Sequence, residues 1–532
     1  MQQRIFAMSK VVYAVNSPLR IFLHRSDRKG VLMEETKKSW ICLVCGYMHQ
    51  GEQPPETCPI CGAPETDFEL HATEMRTPAP AAQQWRCLIC GYVHEGGTPP
   101  ETCPVCAAST DEFEPDSISS TNDKKQAGVS KQKIVIIGGG VAGISAAEHA
   151  RKTAPDADIH VYSKEKELPY YRLNLTRYLA GEIEAKALPV HPQLWYEEQG
   201  IHLHRGVEVL AVNPETHSLE LPEGKSERYD KLIHACGAHP FIPPIPGVDK
   251  EGVTAIRTCE DVDSLLDRIG KGVLCVCIGG GILGLEVAGA LAKRGASVTL
   301  LEGFGYLLPR QLNREAAYVL EEHIVSLGIT VRTKADTREI GGDDKVKSVI
   351  LESGEALPAD MVTITTGIRS NTHLARRAGL QVNSGVIVDS HLRASAPDIY
   401  AVGDAAEWGG FVYGLWEPAR FQGAIAGQNA AGDSIVFGGM PRMNTLKVLG
   451  IDLFSIGIVS PGDGSYLDEA VQIDGVYRRF LFHDNVLVGA ILVGDTKIAT
   501  QVAHAIKAHT DMSVLLTKRP TANDIASYLS EQ

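Results

Sequence analysis

From residue 132 onward, short apolar runs alternate with glycine-rich turns and amphipathic stretches. KIVIIGGGVAGISAAEHARK reads as a buried strand, a glycine turn and a helix, because a short continuous apolar run bounded by glycine suits a strand covered on both faces. ASVTLLEG, MVTITTG and IYAVGDAAE are further short apolar strands that end in glycine or an acid. This order of strand and helix signals predicts an α/β chain with parallel sheets and helices on both faces. From about residue 440 the texture changes. VYRRFLFHDN and VLVGAILVGD predict two antiparallel strands around a His-Asp-Asn turn. A helix near 496–509 follows, so a small α+β domain is expected there.

Before residue 132 the periodicity fails. Residues 63–84 and 107–131 are rich in Pro, Ser, Thr, Ala and charge, and read as linkers. The second could span roughly 25–30 Å as a coil of about 25 residues, enough for a swinging tether. The first 39 residues carry Arg4, Lys10, Arg20, Arg25, Arg28 and Lys29 against Asp27 alone before Gly30. They read as a transit-like or disordered arm, or as a start that belongs at Met33. The net charge of −14 argues against nucleic acid or an anionic membrane as a main partner. No apolar run reaches the ~18 residues of a spanning helix.

Two glycine loops carry the first chemical signal. Gly138, Gly140 and Gly143 follow IVII, and Gly279, Gly281 and Gly284 follow VLCVCI, each with G-x-G-x-x-G spacing. Such glycines let the backbone approach a pyrophosphate at a helix N-terminus. Two loops about 140 residues apart, each between a strand and a helix, predict two dinucleotides. An acid is expected at the end of the following strand to bond a ribose. Glu302 fits after the second loop, where its charge would repel a 2′-phosphate and favour NADH over NADPH. After the first loop Glu165 is the candidate, with a solvated strand-end charge as the alternative for either residue. Glu286, just past the second loop, is a candidate contact for the nicotinamide end of NADH, or a helix N-terminal acid stabilised by the dipole.

Eight of the twelve cysteines form a duplicated cassette: Cys42, Cys45, Cys58 and Cys61, then Cys87, Cys90, Cys103 and Cys106, each 45 residues after its counterpart. Two C-x-x-C pairs separated by twelve residues suit one tetrahedral metal per copy. Metal-ligand use of these thiols implies a reducing, cytoplasmic compartment. Gly46 and Gly91 follow the second cysteine of each copy, where a small residue lets backbone N–H groups point at sulfur. Ala107 stands where the first copy has Gly62, so the potentials of the two metal sites are expected to differ. The cassette alone leaves iron and zinc equally open. His49 and His94 read as surface groups or supports of the ligands.

A family resemblance rests on combined motifs over about 132–500. YDKLIHACGAHPFIPPIPG, IYAVGDAAE and GLWEPARFQGAIAGQNAAG resemble segments of two-dinucleotide flavoprotein reductases. LPYYRLNLTRYLAG, LLPRQLN, GIRSNT and FHDNVLVGAILVGDT are similar to the NADH:rubredoxin oxidoreductase and nitrite-reductase flavoprotein branch. The resemblance implies two Rossmann-like domains of the glutathione-reductase type, FAD in the first and NADH in the second. It implies that Gly237 and Asp404 bind FAD, with Asp404 on the ribitol. It places Tyr171, Arg172 and Trp416 beside the flavin ring, Arg172 lending charge to the ring or pyrophosphate unless it is a surface ion pair. Cys236 departs from the usual Thr of an A-T-G motif, which costs a good hydroxyl donor. The implied division is an FAD-binding domain at 132–252 and 371–437, an NAD-binding domain at 253–370 and an α+β domain at 438–532. Metal domains are expected at 40–66 and 85–115, with linkers at 67–84 and 116–131.

No cysteine lies between 107 and 235, where relatives carry a redox thiol near the flavin, and Cys259, Cys275 and Cys277 read as structural. Flavins release electrons singly, and a four-thiolate iron is a one-electron carrier. The cassettes resemble the rubredoxin-like tail of rubrerythrins, and their fusion to such a reductase shifts the expectation from zinc to two irons. The expected function is NADH oxidation through FAD to these irons and on to a soluble acceptor: a rubrerythrin, a flavodiiron protein or another rubredoxin. A homodimer is also expected. The alternatives are zinc ribbons that dock partners, or the flavoprotein part of a nitrite-reductase-like system. Full nitrite reduction needs sirohaem and iron–sulfur ligands, and no further cysteine cluster is present, so that activity is expected only with a second subunit.

Overall fold

The computed structural model describes residues 39–42, 48–50, 53, 68–71, 84–87, 93–95, 98–100, 110, 113–115, 131–440, 443–446 and 449–531. The arm before residue 39, most of both linkers, and Cys45, Cys58, Cys61, Cys90, Cys103 and Cys106 lie outside the described residues. By compactness the chain divides into Met1–Pro80 and Ala81–Gln532.

Two five-stranded parallel sheets organise the larger unit. The first runs Ile399–Ala401, Lys231–His234, Lys133–Ile137, Asp158–Ser163 and Ile201–Arg205 across its width. The second runs Val253–Thr254, Met361–Ile364, Leu274–Ile278, Ser297–Glu302 and Thr330–Thr333. In both, the strand that precedes a glycine loop is central, and the strand after the loop's helix lies beside it. KIVII and LCVCI sit at these centres because four of the five residues in each are buried. Each sheet is accompanied by a small three-stranded antiparallel sheet, at 211–228 and 337–358.

Residues 443–493 form a five-stranded antiparallel sheet. Its Val476–His483 and Val486–Val493 strands are the expected hairpin, with Asp484 and Asn485 at positive φ in the turn. Helices Ala499–Lys507 and Ala522–Ser530 share its core with Phe480, Phe482 and Leu492.

The core boundaries depart from the sequence boundaries in one place. Tyr170, Leu175, Leu179, Ala180 and Leu188 lie in sequence within the first nucleotide domain, yet they pack with Leu265, Leu285, Leu291 and Leu320 of the second. LPYYRLNLTRYLAG is therefore a strap between the two. Its apolar residues find their cover on the neighbouring core.

The duplicated module folds twice in the same way. Ser39–Cys42 pairs with Met48–Gln50 and with Phe68–His71; Gln84–Cys87 pairs with Val93–Glu95 and with Phe113–Pro115. Trp40 is the register partner of His49 just as Trp85 is that of His94. Phe68–His71 corrects the expected boundary at 66. The four residues FELH are too few for a pattern of their own, but they complete the first module's sheet and cannot belong to a linker.

Candidate active site

Both glycine loops are built as cradles. Gly138 has φ of +121°, and a Cβ there would lie 2.1 Å from the Ala235 carbonyl oxygen; one on Gly143 would lie 2.0 Å from the Gly138 oxygen. The second loop repeats this with Gly279 against Thr365 and Gly284 against Gly279. Gly140 and Gly281 differ from the others, since nothing lies within 4 Å of a Cβ built on either. They are the N-caps of helices Val141–Thr153 and Ile282–Lys293, and neither helix start has a side-chain cap. Open space in front of uncapped helix N–H groups is what a pyrophosphate requires.

The ribose positions are not alike. Glu302 is buried at the end of its strand and accepts hydrogen bonds from the Gly280 and Phe304 N–H groups at 2.9 and 2.8 Å. The equivalent strand end in the first sheet is Ser163, whose side chain meets a Cβ built on Gly139 as Glu302 meets one on Gly280. Glu165 lies two residues past the strand, and its carboxylate is drawn to the Arg172 guanidinium at 2.7 Å and the Tyr170 hydroxyl at 2.5 Å. Ser163 was missed because a serine at a strand end carries no charge signal.

Arg172 is no surface ion pair. It also donates to Tyr170 Oη at 2.8 Å and to the Arg257 carbonyl, and the Arg257 guanidinium reaches Asp404 at 3.1 Å. Gly237, at φ +65°, faces the same guanidinium. Residues 165, 172, 257, 237 and 404 therefore form one continuous polar seam. Arg257 had no motif to mark it. Trp416 opens helix Trp416–Ala430, and its ring lies 5.7 Å from that of Tyr171. Glu286 accepts from Thr176 of the strap at 3.0 Å, and burial raises its carboxyl to about 7 despite that bond.

Residues 132–423 match the model of the pyridine nucleotide-disulphide oxidoreductases. The chain belongs to that family. Residues 443–510 match the rubredoxin NAD+ reductase C-terminal domain, and residues 40–69 and 85–114 each match the rubrerythrin rubredoxin-like domain. Among relatives, a nitrite reductase [NAD(P)H] of Bacillus subtilis is 33% identical over 391 residues, which cover 72% of this chain and 48% of that protein. The chain thus spans about half the length of that relative. An NADH-rubredoxin oxidoreductase of Clostridium acetobutylicum is 29% identical over 70% of this chain and 94% of its own. The solved NADH:rubredoxin oxidoreductase structure from Clostridium acetobutylicum superposes with a TM-score of 0.62 at 28% identity, covering 72% of this chain and 97% of that one.

Membership of the pyridine nucleotide-disulphide oxidoreductases implies FAD and NAD(P)H, and the two cradles fit these groups. The rubredoxin-like modules imply a metal. Of the cassette cysteines, Cys42 and Cys87 end equivalent strands. The disulphide chemistry in the family's name finds no support among the described thiols. Burial raises Cys236 and Cys275 to about 12, and Cys259 and Cys277 to about 11. Cys236 lies 3.4 Å from His234 Nδ1 and stands 3.6 Å from the Ile137 oxygen, so it fills the A-T-G position without acting as a strong donor. Cys259 opens helix Cys259–Leu266 and touches Tyr170, closer to the Arg172 seam than its position in the sequence suggests.

Proposed function

We propose that this protein is an NADH-dependent FAD oxidoreductase that delivers single electrons to its own two four-cysteine irons and from them to a soluble redox protein. The observation that carries the reading is the module duplicated at constant spacing, strands and cysteines alike, on a chain whose remaining thiols are held protonated. The bound flavin supplies the conversion from hydride to single electrons. Each NADH oxidised to NAD⁺ and a proton yields two electrons, which reduce two ferric ions to ferrous.

The chain's own residues bind and orient. Glu302 holds the nucleotide ribose and disfavours a 2′-phosphate. Gly138, Gly140 and Gly143, with Gly237 and Asp404, hold FAD. Arg172 and Arg257 place positive charge along that seam. Glu286 stands at the start of the second loop's helix, where its near-neutral carboxyl can meet the nicotinamide amide. Cys42, Cys45, Cys58 and Cys61, then Cys87, Cys90, Cys103 and Cys106, hold the metals. The acceptor fits a rubrerythrin, a flavodiiron protein or a rubredoxin, and the thiolate chemistry fits the cytoplasm.

The four-thiolate set suits zinc as well. Anaerobic NADH addition to the purified protein separates the two readings. A ferric-thiolate visible band, beyond that of flavin, should bleach. Two zincs per chain and a flavin spectrum alone would reject the iron reading. Cys42→Ala and Cys87→Ala, assayed separately, assign the order of transfer.

A further inference from the structure

On the first sheet, strands Asp158–Ser163 and Ile201–Arg205 bring together a group of side chains that the redox chemistry does not use. His160 lies directly across from His202, and Tyr162 across from His204. Residues two apart on a strand share a face, so Asp158, His160 and Tyr162 line up beside His202 and His204. His160 Nε2 lies 3.1 Å from Asp158 Oδ1, and His202 Nε2 lies 3.5 Å from the same oxygen. The three donor atoms all fall within 4.8 Å of one another. Around a tetrahedral zinc with bonds of about 2.0–2.1 Å, neighbouring donors are about 3.3 Å apart.

The surroundings support the same geometry. His160 Nδ1 is 3.0 Å from His204 Nε2, and the two rings are nearly parallel with centroids 5.2 Å apart. A proton on His160 Nδ1, given to His204, leaves His160 Nε2 with its lone pair toward Asp158, which is how a ligating histidine is oriented by a partner behind it. Lys133 Nζ, 3.6 Å from Asp158 Oδ2, holds the other carboxylate oxygen, and Lys133 is itself paired with Glu227. The aspartate is therefore positioned with Oδ1 turned toward the two imidazoles.

We propose that Asp158, His160 and His202 form a binding site for a zinc-class divalent cation, with His204 as the residue that orients His160. Two imidazoles and a carboxylate favour a late first-row divalent ion over calcium or magnesium. His160 binds through the Nε2 lone pair, and Nδ1 keeps its proton toward His204. The fourth position is left to water. The site lies at the start of the strand that ends at Ser163, about 16 Å from the glycine loop at ~3.3 Å per residue. The ion accordingly acts as a staple between the sheet's edge strand and its neighbour, outside the electron path.

The test uses the full-length, flavin-loaded protein with its cassette metals in place. Wild-type protein and a His202→Asn variant are dialysed against a series of buffered micromolar zinc concentrations and analysed for metal. His202 is 58% exposed, so its replacement leaves folding intact. Wild type should take up about one zinc per chain more than His202→Asn, and its unfolding temperature should rise with zinc while the variant's does not. His204→Gln should retain the site with about tenfold weaker affinity. Flavin absorbance and cassette metal should be equal in all three. Equal zinc uptake by wild type and His202→Asn across the series overturns the proposal and leaves a metal-free hydrogen-bonded cluster.

Discussion

At the scale of single residues, the charge state of Glu286 depends directly on its surroundings. Its carboxyl is raised to about 7 by burial, against an ordinary value near 4.5. The folded protein therefore binds a proton there between those values, while the unfolded chain does not. Stability from this group is present at low pH and is lost as pH rises through 7. Glu286→Gln, which keeps an acceptor for Thr176, should match wild type at pH 5 and exceed it by about 2 kcal/mol at pH 8 in denaturant unfolding. An equal difference at both pH values would contradict the assignment. The sequence marked Glu286 and Glu302 because both sit at fixed offsets from glycine loops. It could not mark Ser163, Arg257 or Thr176. Their roles come from facing residues 24 to 147 positions away, as with Arg257 on Asp404 and Gly139 against Ser163.

Elements show how the first cradle is held. Helix Val141–Thr153 crosses helix Trp416–Ala430 at very short range. A Cβ on Gly423 or Gly427 would come within 2.2 Å of the Ala142 or Ala146 carbonyl oxygen. Gln422, buried beside them, accepts from the Gly403 N–H at 2.8 Å and ties the crossing to the Asp404 turn. Gly427→Ala must push the helices apart and should cost about 1–3 kcal/mol. Because the first of these helices begins at Gly140, flavin content should fall with it. Calorimetry and the ratio of flavin to protein absorbance check both. The central strands of the two parallel sheets, the two loops and the 476–493 hairpin were legible from the sequence because apolar runs and glycines mark them directly. The strand Phe68–His71 was not, being four residues with two charged or polar members and partners 26 to 32 positions earlier.

For the whole molecule, the division at Pro80 has a measurable meaning. A chain beginning at Ala81 should match the full chain in the stability of its flavoprotein transition, within about 0.5 kcal/mol. It should retain one rubredoxin-like module and half of the cassette metal. A lowered transition would show that the first unit stabilises the rest. Within the larger unit, the strap from Tyr170 to Leu188 belongs to one nucleotide domain by chain order and to the other by packing. A hinge needs a boundary that few side chains cross, and here a whole helical turn crosses it. Any opening between the two cradles would have to pull Leu175 and Leu179 out of an apolar core. The strap thus ties the two nucleotide domains together through a shared apolar core.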